Sequence, residues 1–325
     1  MHNVFITGAT GFIGTHLIKQ LLSQKHSVRA LIRPTSPSHP FSNKVDIVKG
    51  DLLDAKSLVN SCKDIDTLFH LGGYAHATEN NKAFAQQHYL INYQGTKNIL
   101  TEAINAQVKN FIFFSTVKAV RESERIIDES RDKSPLSPYG IAKREAEKLV
   151  LEAKNKGMHV CVLRPALVYG PGWKGNLASM LRTIDRGFFP PLPESNNCRS
   201  MISVEDVCQA ALLAAHHPAA NGKIYFLTDG VSYSTKQIFL LMREALGKSP
   251  PSWSVPLWIF KLLALSGDIG AKIIRRRLPF NSDTLSKLFG SAHYNSQRIQ
   301  HELGFKPLYD LKKMLPIIIE QYRSS

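Results

Sequence analysis

The sequence predicts an α/β protein built on a doubly wound parallel sheet, with a smaller mixed α/β region following it. Three observations carry this expectation. Short apolar runs alternate with stretches of helical periodicity through the first half of the 325 residues, as a parallel sheet with crossover helices requires. A glycine-rich turn containing Gly8, Gly11 and Gly14 stands between the first such run and the first helical stretch. Finally, Gly8, Asp51, Gly72 and Thr116 fall just beyond strand-like runs, and open α/β sheets bind ligands at those carboxyl ends.

Residues 3–7 read as a short buried strand, and helical periodicity runs from about 15 to 23. Between them, the first glycine permits a tight turn and the second lets backbone approach a pyrophosphate. The third lets helix and strand pack closely, with the amides of Phe12, Ile13 and Gly14 turned toward phosphate. Residues 28–32 are the second strand. An acid for the ribose hydroxyls is expected about 20 residues past the glycines, but Ile32-Arg33 stands there instead. A missing carboxylate and a nearby guanidinium suit a 2′-phosphate, so NADP(H) is favoured, with NAD(H) as the alternative. A solvated strand end is the other reading of Arg33.

The Pro/Ser-rich residues 34–42 read as a loop, and 45–52 as a strand ending at Gly50-Asp51-Leu52, near an adenine edge. Residues 66–73 form a strand that closes in Leu71-Gly72-Gly73, with His70 a structural strand-end residue rather than a catalyst. A long helical stretch, 81–106, carries Asn92 and Gly95, and the strand 109–114 terminates at Ser115-Thr116. Residues 160–165 are the sixth strand, ending in Arg164-Pro165. The Gly/Pro-rich loop 168–176 then marks a change of role. Residues 1–170 are expected to bind dinucleotide and carry the catalytic groups. Residues 171–325 mainly bind substrate, with some segments able to return to the sheet. There Ser203 and Ser234 read as helix caps, 223–227 as a short strand and 310–322 as a last helix.

Tyr139-Gly140-Ile141-Ala142-Lys143 places a phenol and an amine four residues apart, on one face of a helix. Ser137 and Pro138 supply its cap and first-turn proline. The helix dipole and the ammonium both favour phenolate, so Tyr139 is expected to have a depressed pKa and to exchange protons near neutral pH. On spacing alone a solvated helix face is the commoner explanation, and the surrounding motifs give the pair its weight.

Lys and Arg number 41 against 26 Asp and Glu, a formal net charge of +15, which points to an anionic partner. With no long basic block and no RNA-binding signature, nucleic acid is not an expected partner. Cys62, Cys161, Cys198 and Cys208 show no metal spacing and read as free thiols of a reducing cytoplasm; no metal is expected. The chain runs straight into a strand, which suggests no targeting peptide. An apolar stretch at 253–265 precedes Arg275-Arg276-Arg277 and is too short to span a bilayer. Its readings are a helix pair packed over the substrate region or a weak membrane-surface contact.

Taken in order, Thr7-Gly8-Ala9-Thr10-Gly11-Phe12-Ile13-Gly14, Gly50-Asp51-Leu52, His70-Leu71-Gly72-Gly73 and Asn92 resemble the extended short-chain dehydrogenase/reductase superfamily. The resemblance continues through Phe114-Ser115-Thr116, Tyr139 to Lys143, Leu163-Arg164-Pro165 and Val168-Tyr169-Gly170-Pro171-Gly172, covering nearly the whole chain. It implies a Rossmann domain. Within the superfamily, Phe114-Ser115-Thr116-Val117-Lys118 is similar to a bacterial nucleotide-sugar subgroup of surface-polysaccharide pathways, which contains 4-epimerases and UDP-4-keto-6-deoxy-N-acetylhexosamine 4-reductases.

By that resemblance Thr116, Tyr139 and Lys143 are catalytic. Gly8, Gly11, Phe12, Ile13, Gly14, Arg33, Asp51, Leu52, Leu71, Gly72, Gly73, Asn92, Tyr139, Lys143 and Pro165 hold the cofactor. Thr116, Asn176 and Leu177 touch a UDP-sugar, and Arg199 binds its diphosphate. A cytoplasmic homodimer is implied as well. The expected reaction is hydride transfer at C4, leaning to reduction of a 4-keto sugar on account of Arg33, with 4-epimerisation using tightly held NAD as the alternative. Two departures stand out: the second-strand acid is absent, and Val120-Arg121 replaces a usual tyrosine and glycine. Further alternatives are an NADP reductase of the steroid or flavonoid type, and a non-catalytic dinucleotide-binding sensor or assembly factor.

Overall fold

The computed structural model describes all residues except 1, 37–40, 42, 76–81, 124, 132, 275–277, 279 and 325. The basic run Arg275-Arg276-Arg277 and part of the 34–42 loop therefore lie outside the described residues. Through the first half the order is β1 (Asn3–Thr7), α1 (Phe12–Ser23), β2 (Ser27–Ile32), β3 (Val45–Lys49), β4 (Thr67–His70), α2 (Lys82–His88), α3 (Gly95–Asn105), β5 (Asn110–Phe114), α4 (Pro138–Glu152) and β6 (His159–Pro165). Then come β7 (Leu167–Tyr169), α5 (Asn176–Asp185), β8 (Arg199–Ser203), α6 (Val204–His216), β9 (Lys223–Leu227), β10 (Ser232–Tyr233), α7 (Thr235–Ala245), α8 (Leu257–Ile274), α9 (Ser282–Phe289), α10 (Gln297–Leu303) and α11 (Leu311–Arg323). Among the described residues no helix is long and apolar enough to cross a membrane.

Among the described residues seven strands form the main sheet in the order β3-β2-β1-β4-β5-β6-β9, every neighbouring pair parallel. The strand order reverses between β1 and β4, which opens a crevice at their carboxyl ends. Both faces are covered, as a parallel sheet demands. On one side α1 and α6 bury Leu17, Ile18, Ala210 and Ala211 against β1, β2 and β6. On the other, α3 and α4 bury Ile99, Ala103, Ala146 and Val150 against Phe5, Phe111 and Val160.

The second region has its own core, in which Leu181, Phe239, Met242, Leu315 and Ile318 of α5, α7 and α11 pack together. A small sheet, β10-β8-β7, links it to the first. At that junction the Tyr169 hydroxyl donates to Asp229 (2.8 Å), and so does the Tyr233 hydroxyl (2.9 Å).

Local signals explain the helix starts. Ser137 accepts from the Gly140 amide (3.1 Å), with Pro138 in the first turn of α4. Ser203 caps α6 by accepting from the Asp206 amide, and Ser234 with Gln237 forms a reciprocal capping box at α7. The helical stretch around Asn92 is interrupted: Tyr89–Gln94, between α2 and α3, is a π-helical turn. Such turns are local distortions that recur at functional sites.

Candidate active site

The glycines before α1 leave no room for side chains. Gly8 has φ of +70°, and a Cβ there would lie 2.6 Å from the Leu71 carbonyl carbon. At Gly14 a Cβ would sit 2.3 Å from the Gly8 oxygen. The turn is closed by the Gly11 amide donating to the Gly8 carbonyl (3.0 Å). Helix, turn and the β4 end thus meet backbone to backbone, leaving the first amides of α1, at Phe12 and Ile13, at the mouth of the crevice. The Phe12 ring packs toward the second core and stacks edge-on to His16 (5.4 Å between centroids).

A buried relay fixes the crevice floor. The Gly72 amide donates to Thr7 Oγ1 (3.0 Å), which bonds His70 Nδ1 (2.6 Å). His70 Nε2 meets Thr96 Oγ1 (2.9 Å), and Thr96 donates to the Asn92 carbonyl (2.7 Å). Each hydroxyl has one proton, so the directions are consistent only when neutral His70 carries its proton on Nε2. Full burial pushes the His70 pKa well down, which agrees. His70 is therefore a pin between β1, β4 and α3. Of its partners, Thr7 opens the glycine motif but nothing in sequence marks its hydroxyl for this role, and Thr96 belongs to no motif.

Asn92 has an immediate task other than the expected cofactor contact. Its Oδ1 accepts from the Tyr74 amide (2.8 Å) and its Nδ2 donates to the Tyr74 carbonyl (3.0 Å). A Cβ on Gly73 would lie 2.8 Å from Asn92 Oδ1, which is held by its bond to Tyr74, so close approach favours glycine here. Asn92 therefore clamps the loop after β4. Leu52 covers Gly72 and Gly95 with its side chain, and Asp51 Oδ1 accepts from the Leu53 amide (2.9 Å). Leu71 and the buried Pro165 continue β4 and β6 at the same sheet end. Arg33 is exposed, just past β2.

Thr116, Tyr139 and Lys143 converge where β5 meets α4. The Tyr139 hydroxyl shares a hydrogen bond with Thr116, and its ring lies 5.5 Å from that of His88. Lys143 is buried; its Nζ donates to the Phe114 carbonyl (2.6 Å) and sits 4.1 Å above the Phe113 ring centre. A Cβ on Gly73 would come within 3.9 Å of that nitrogen, so amine and crevice floor are neighbours.

The electrostatics differ from the sequence expectation. Burial raises the Tyr139 pKa to about 12, and the Thr116 hydroxyl only partly opposes it. Burial also lowers Lys143 to about 7, against the opposing charge of Glu147. Among the protein's own groups, then, desolvation outweighs the helix dipole, and a half-neutral amine cannot supply the full charge that would acidify the phenol. The geometry is as expected; the depressed phenol pKa is not.

The Lys143 shift has a measurable consequence. Between its folded value near 7 and the ordinary 10.5, the unfolded chain holds a proton that the folded protein has released. Its contribution is complete above the unfolded pKa and is lost as pH falls through the folded one, with an amplitude on the order of 5 kcal/mol. Urea unfolding is expected to show stability rising with pH through this window in the native protein. In Lys143→Met that rise should be flattened, and parallel slopes in the two proteins would refute the shift.

Sequence reasoning missed the support beneath Lys143. Glu147, one turn on, is buried and accepts from Arg164 through Nε (2.8 Å) and Nη2 (2.5 Å), and from the Ser115 hydroxyl. The i, i+4 spacing from Lys143 was the available signal. Without coordinates, Glu147 reads as one more charge on a solvated face.

The remaining proposed substrate residues lie on other elements, α5 and β8. Asn176 is exposed and Leu177 buried at the start of α5, where Gly175 takes φ of +81°. Arg199 begins β8; its guanidinium donates to the Lys287 carbonyl, burial lowers its pKa and Glu122 opposes that. Glu122 also lines a cleft of about 560 Å³ with Ser123, Phe289, Gly290 and Ser291. Its carboxylate follows the Val120-Arg121 departure, so the Arg199 guanidinium is partly occupied by the protein's own groups.

Known proteins resemble this chain over nearly its whole length. The chain is 30% identical to a UDP-glucose 4-epimerase of Vibrio cholerae, covering 96% of this chain and 92% of the relative. It is 26% identical to an N-acetyl-alpha-D-glucosaminyl-diphospho-ditrans,octacis-undecaprenol 4-epimerase of Escherichia coli O157:H7, covering 96% and 93%. In structure it superposes on a UDP-glucose 4-epimerase from Thermotoga maritima, solved with UDP-glucose, with a TM-score of 0.76 at 23% identity and 99% coverage of both chains. The model of the NAD dependent epimerase/dehydratase family matches residues 4–227. The chain is therefore a member of the NAD dependent epimerase/dehydratase family, an enzyme family whose Rossmann-like fold it shares.

Proposed function

We propose that the protein is a 4-epimerase of a UDP-activated hexose or N-acetylhexosamine. The observation that carries oxidoreduction at C4, which epimerase and reductase share, is the meeting of Thr116, Tyr139 and Lys143 beside the Gly72-Gly73 floor. The glycine cradle, which any Cβ at Gly8 or Gly14 would fill, fits a dinucleotide diphosphate; Gly8, Gly11, Gly14, Leu71 and Pro165 would hold it. A bound nicotinamide would accept a hydride from C4 and return one. Tyr139 takes the C4 hydroxyl proton as the carbon is oxidised and gives it back after the keto sugar has turned over in the site. Thr116 bonds O4 and fixes its position, and Lys143 binds beside the floor, where it stabilises negative charge on the phenol oxygen when protonated. Arg199 pairs with the substrate diphosphate.

Two named relatives are 4-epimerases, which moves the reading away from the reductase that Arg33 alone suggested. A 4-keto-sugar reductase using NADPH remains the second reading, favoured by the exposed Arg33 and the missing second-strand acid. A second copy of the chain would pack over Tyr89, Leu90 and Ile141, exposed apolar residues on α4 and the adjoining π-helical turn.

The test is product analysis by NMR with UDP-glucose, UDP-N-acetylglucosamine and their 4-keto forms, with the bound dinucleotide identified after denaturation. Interconversion of C4 epimers with retained NAD is expected. Net NADPH consumption on a keto sugar without epimerisation would overturn it in favour of the reductase. Arg199→Ala is expected to raise KM by roughly 10- to 100-fold, with kcat less affected.

A further inference from the structure

Helix α8 is apolar on two opposite sides. Phe260, Ala264 and Gly267 form the inner side: the Phe260 ring meets those of Phe289 (5.3 Å) and Phe280 (6.1 Å), and a Cβ on Gly267 would strike the Phe280 carbonyl oxygen. α9 and the segment before it thus fix which side faces in. On the far side Trp258, Leu262, Leu265 and Ile269 recur at helical spacing, each between 52% and 61% exposed, and Trp253 just ahead is 63% exposed. A helix apolar on two opposite sides is normally enclosed on both, and one that is not marks an interaction surface.

We propose that this outward stripe is a docking face for an anionic lipid bilayer, with α8 lying in the plane of the interface rather than crossing it. From Trp258 to Ile269 the stripe runs about 16 Å along the helix, enough to seat four side chains at the acyl boundary. Two tryptophans stand at one end, the residue type that settles at the headgroup level. Charge supplies the second attraction. In sequence, residues 253–289 carry six basic residues, Lys261, Lys272, Arg275, Arg276, Arg277 and Lys287, against Asp268 and Asp283. Lys261 is exposed on α8 itself, and the chain as a whole bears a net charge of +15. Apolar area on a chain of net positive charge matches a negatively charged membrane surface, whereas a second copy of this basic chain would bring like charges together. The inference stands apart from the reading of the active site.

Flotation with vesicles of phosphatidylethanolamine and phosphatidylglycerol tests it, with phosphatidylcholine vesicles as the comparison. The native protein is expected to float with the anionic vesicles, less so at high salt, and its tryptophan emission to shift to the blue. Leu262→Gln/Leu265→Gln/Ile269→Gln should bind at least about tenfold more weakly while keeping the native melting temperature. Quenching of the native protein by brominated acyl chains gives a second reading that needs no variant, because Trp253 and Trp258 are exposed and Trp173 is buried. Absence of vesicle binding, equal binding by the triple variant, or tryptophans untouched by the quencher would each overturn the proposal. So would self-association of the native protein that the triple variant abolishes without any lipid effect, which would make the stripe a contact between copies.

Discussion

Tyr139→Phe is expected to lower kcat by about 10²- to 10⁴-fold, the usual worth of a positioned proton donor, while leaving dinucleotide binding close to native. The ring keeps its place near His88, and only the hydroxyl shared with Thr116 disappears. Because burial holds that phenol near 12, it is a poor base below that pH unless protonated Lys143 or the bound substrate lowers it. Activity should therefore depend on the Lys143 amine as well, and the two variants should be far from additive, as for residues acting as a unit. Single-turnover measurements with each variant and the double variant decide the matter. Turnover by Tyr139→Phe within a few-fold of native would remove Tyr139 from the mechanism.

The second large effect concerns stability. Glu147→Leu leaves the Arg164 guanidinium buried with its carboxylate gone, and Ser115 without its acceptor. Removing one member of a buried ion pair costs about 3–5 kcal/mol, because the remaining charge is uncompensated. Loss of that order is expected from urea midpoints at unchanged m-value. Glu147→Leu/Arg164→Leu should recover much of the loss, since an apolar pair of similar volume needs no compensation. A single variant that costs under about 1 kcal/mol would show that water already reaches the pair. The network joins β5, α4 and β6 at one point, so loosening it should also disturb Thr116, next to Ser115, and Lys143, one turn before Glu147.

Much of this was legible in the sequence, for identifiable reasons. Parallel strands buried on both faces read as continuous apolar runs, and glycine spacing reports a backbone approach that only glycine allows, as at Gly14. Serine caps at positions 137, 203 and 234 act within one helical turn, so local sequence determines them. What stayed hidden depends on tertiary burial. The phenol pKa follows from desolvation, which residue spacing does not encode, and so the expected direction for Tyr139 was opposite to that in the folded protein. The Glu147–Arg164 pair and the Thr7–His70–Thr96 relay join residues up to 63 positions apart. The π-helical turn that aims Asn92 at Tyr74 leaves no mark on helical periodicity coarse enough to notice.

Strand β9 bears on how the molecule is made. It flanks β6 along residues 161–165, yet it emerges only after the whole of residues 166–222 has been synthesised. At ordinary rates of translation that interval is on the order of several seconds. Throughout it a nascent chain displays the outer rim of β6 with its hydrogen-bonding groups unmatched, a surface open to wrong pairing with other strands. Completion of the main sheet thus waits on the far half of the chain, and a fragment severed after the sixth strand would keep that rim bare for good.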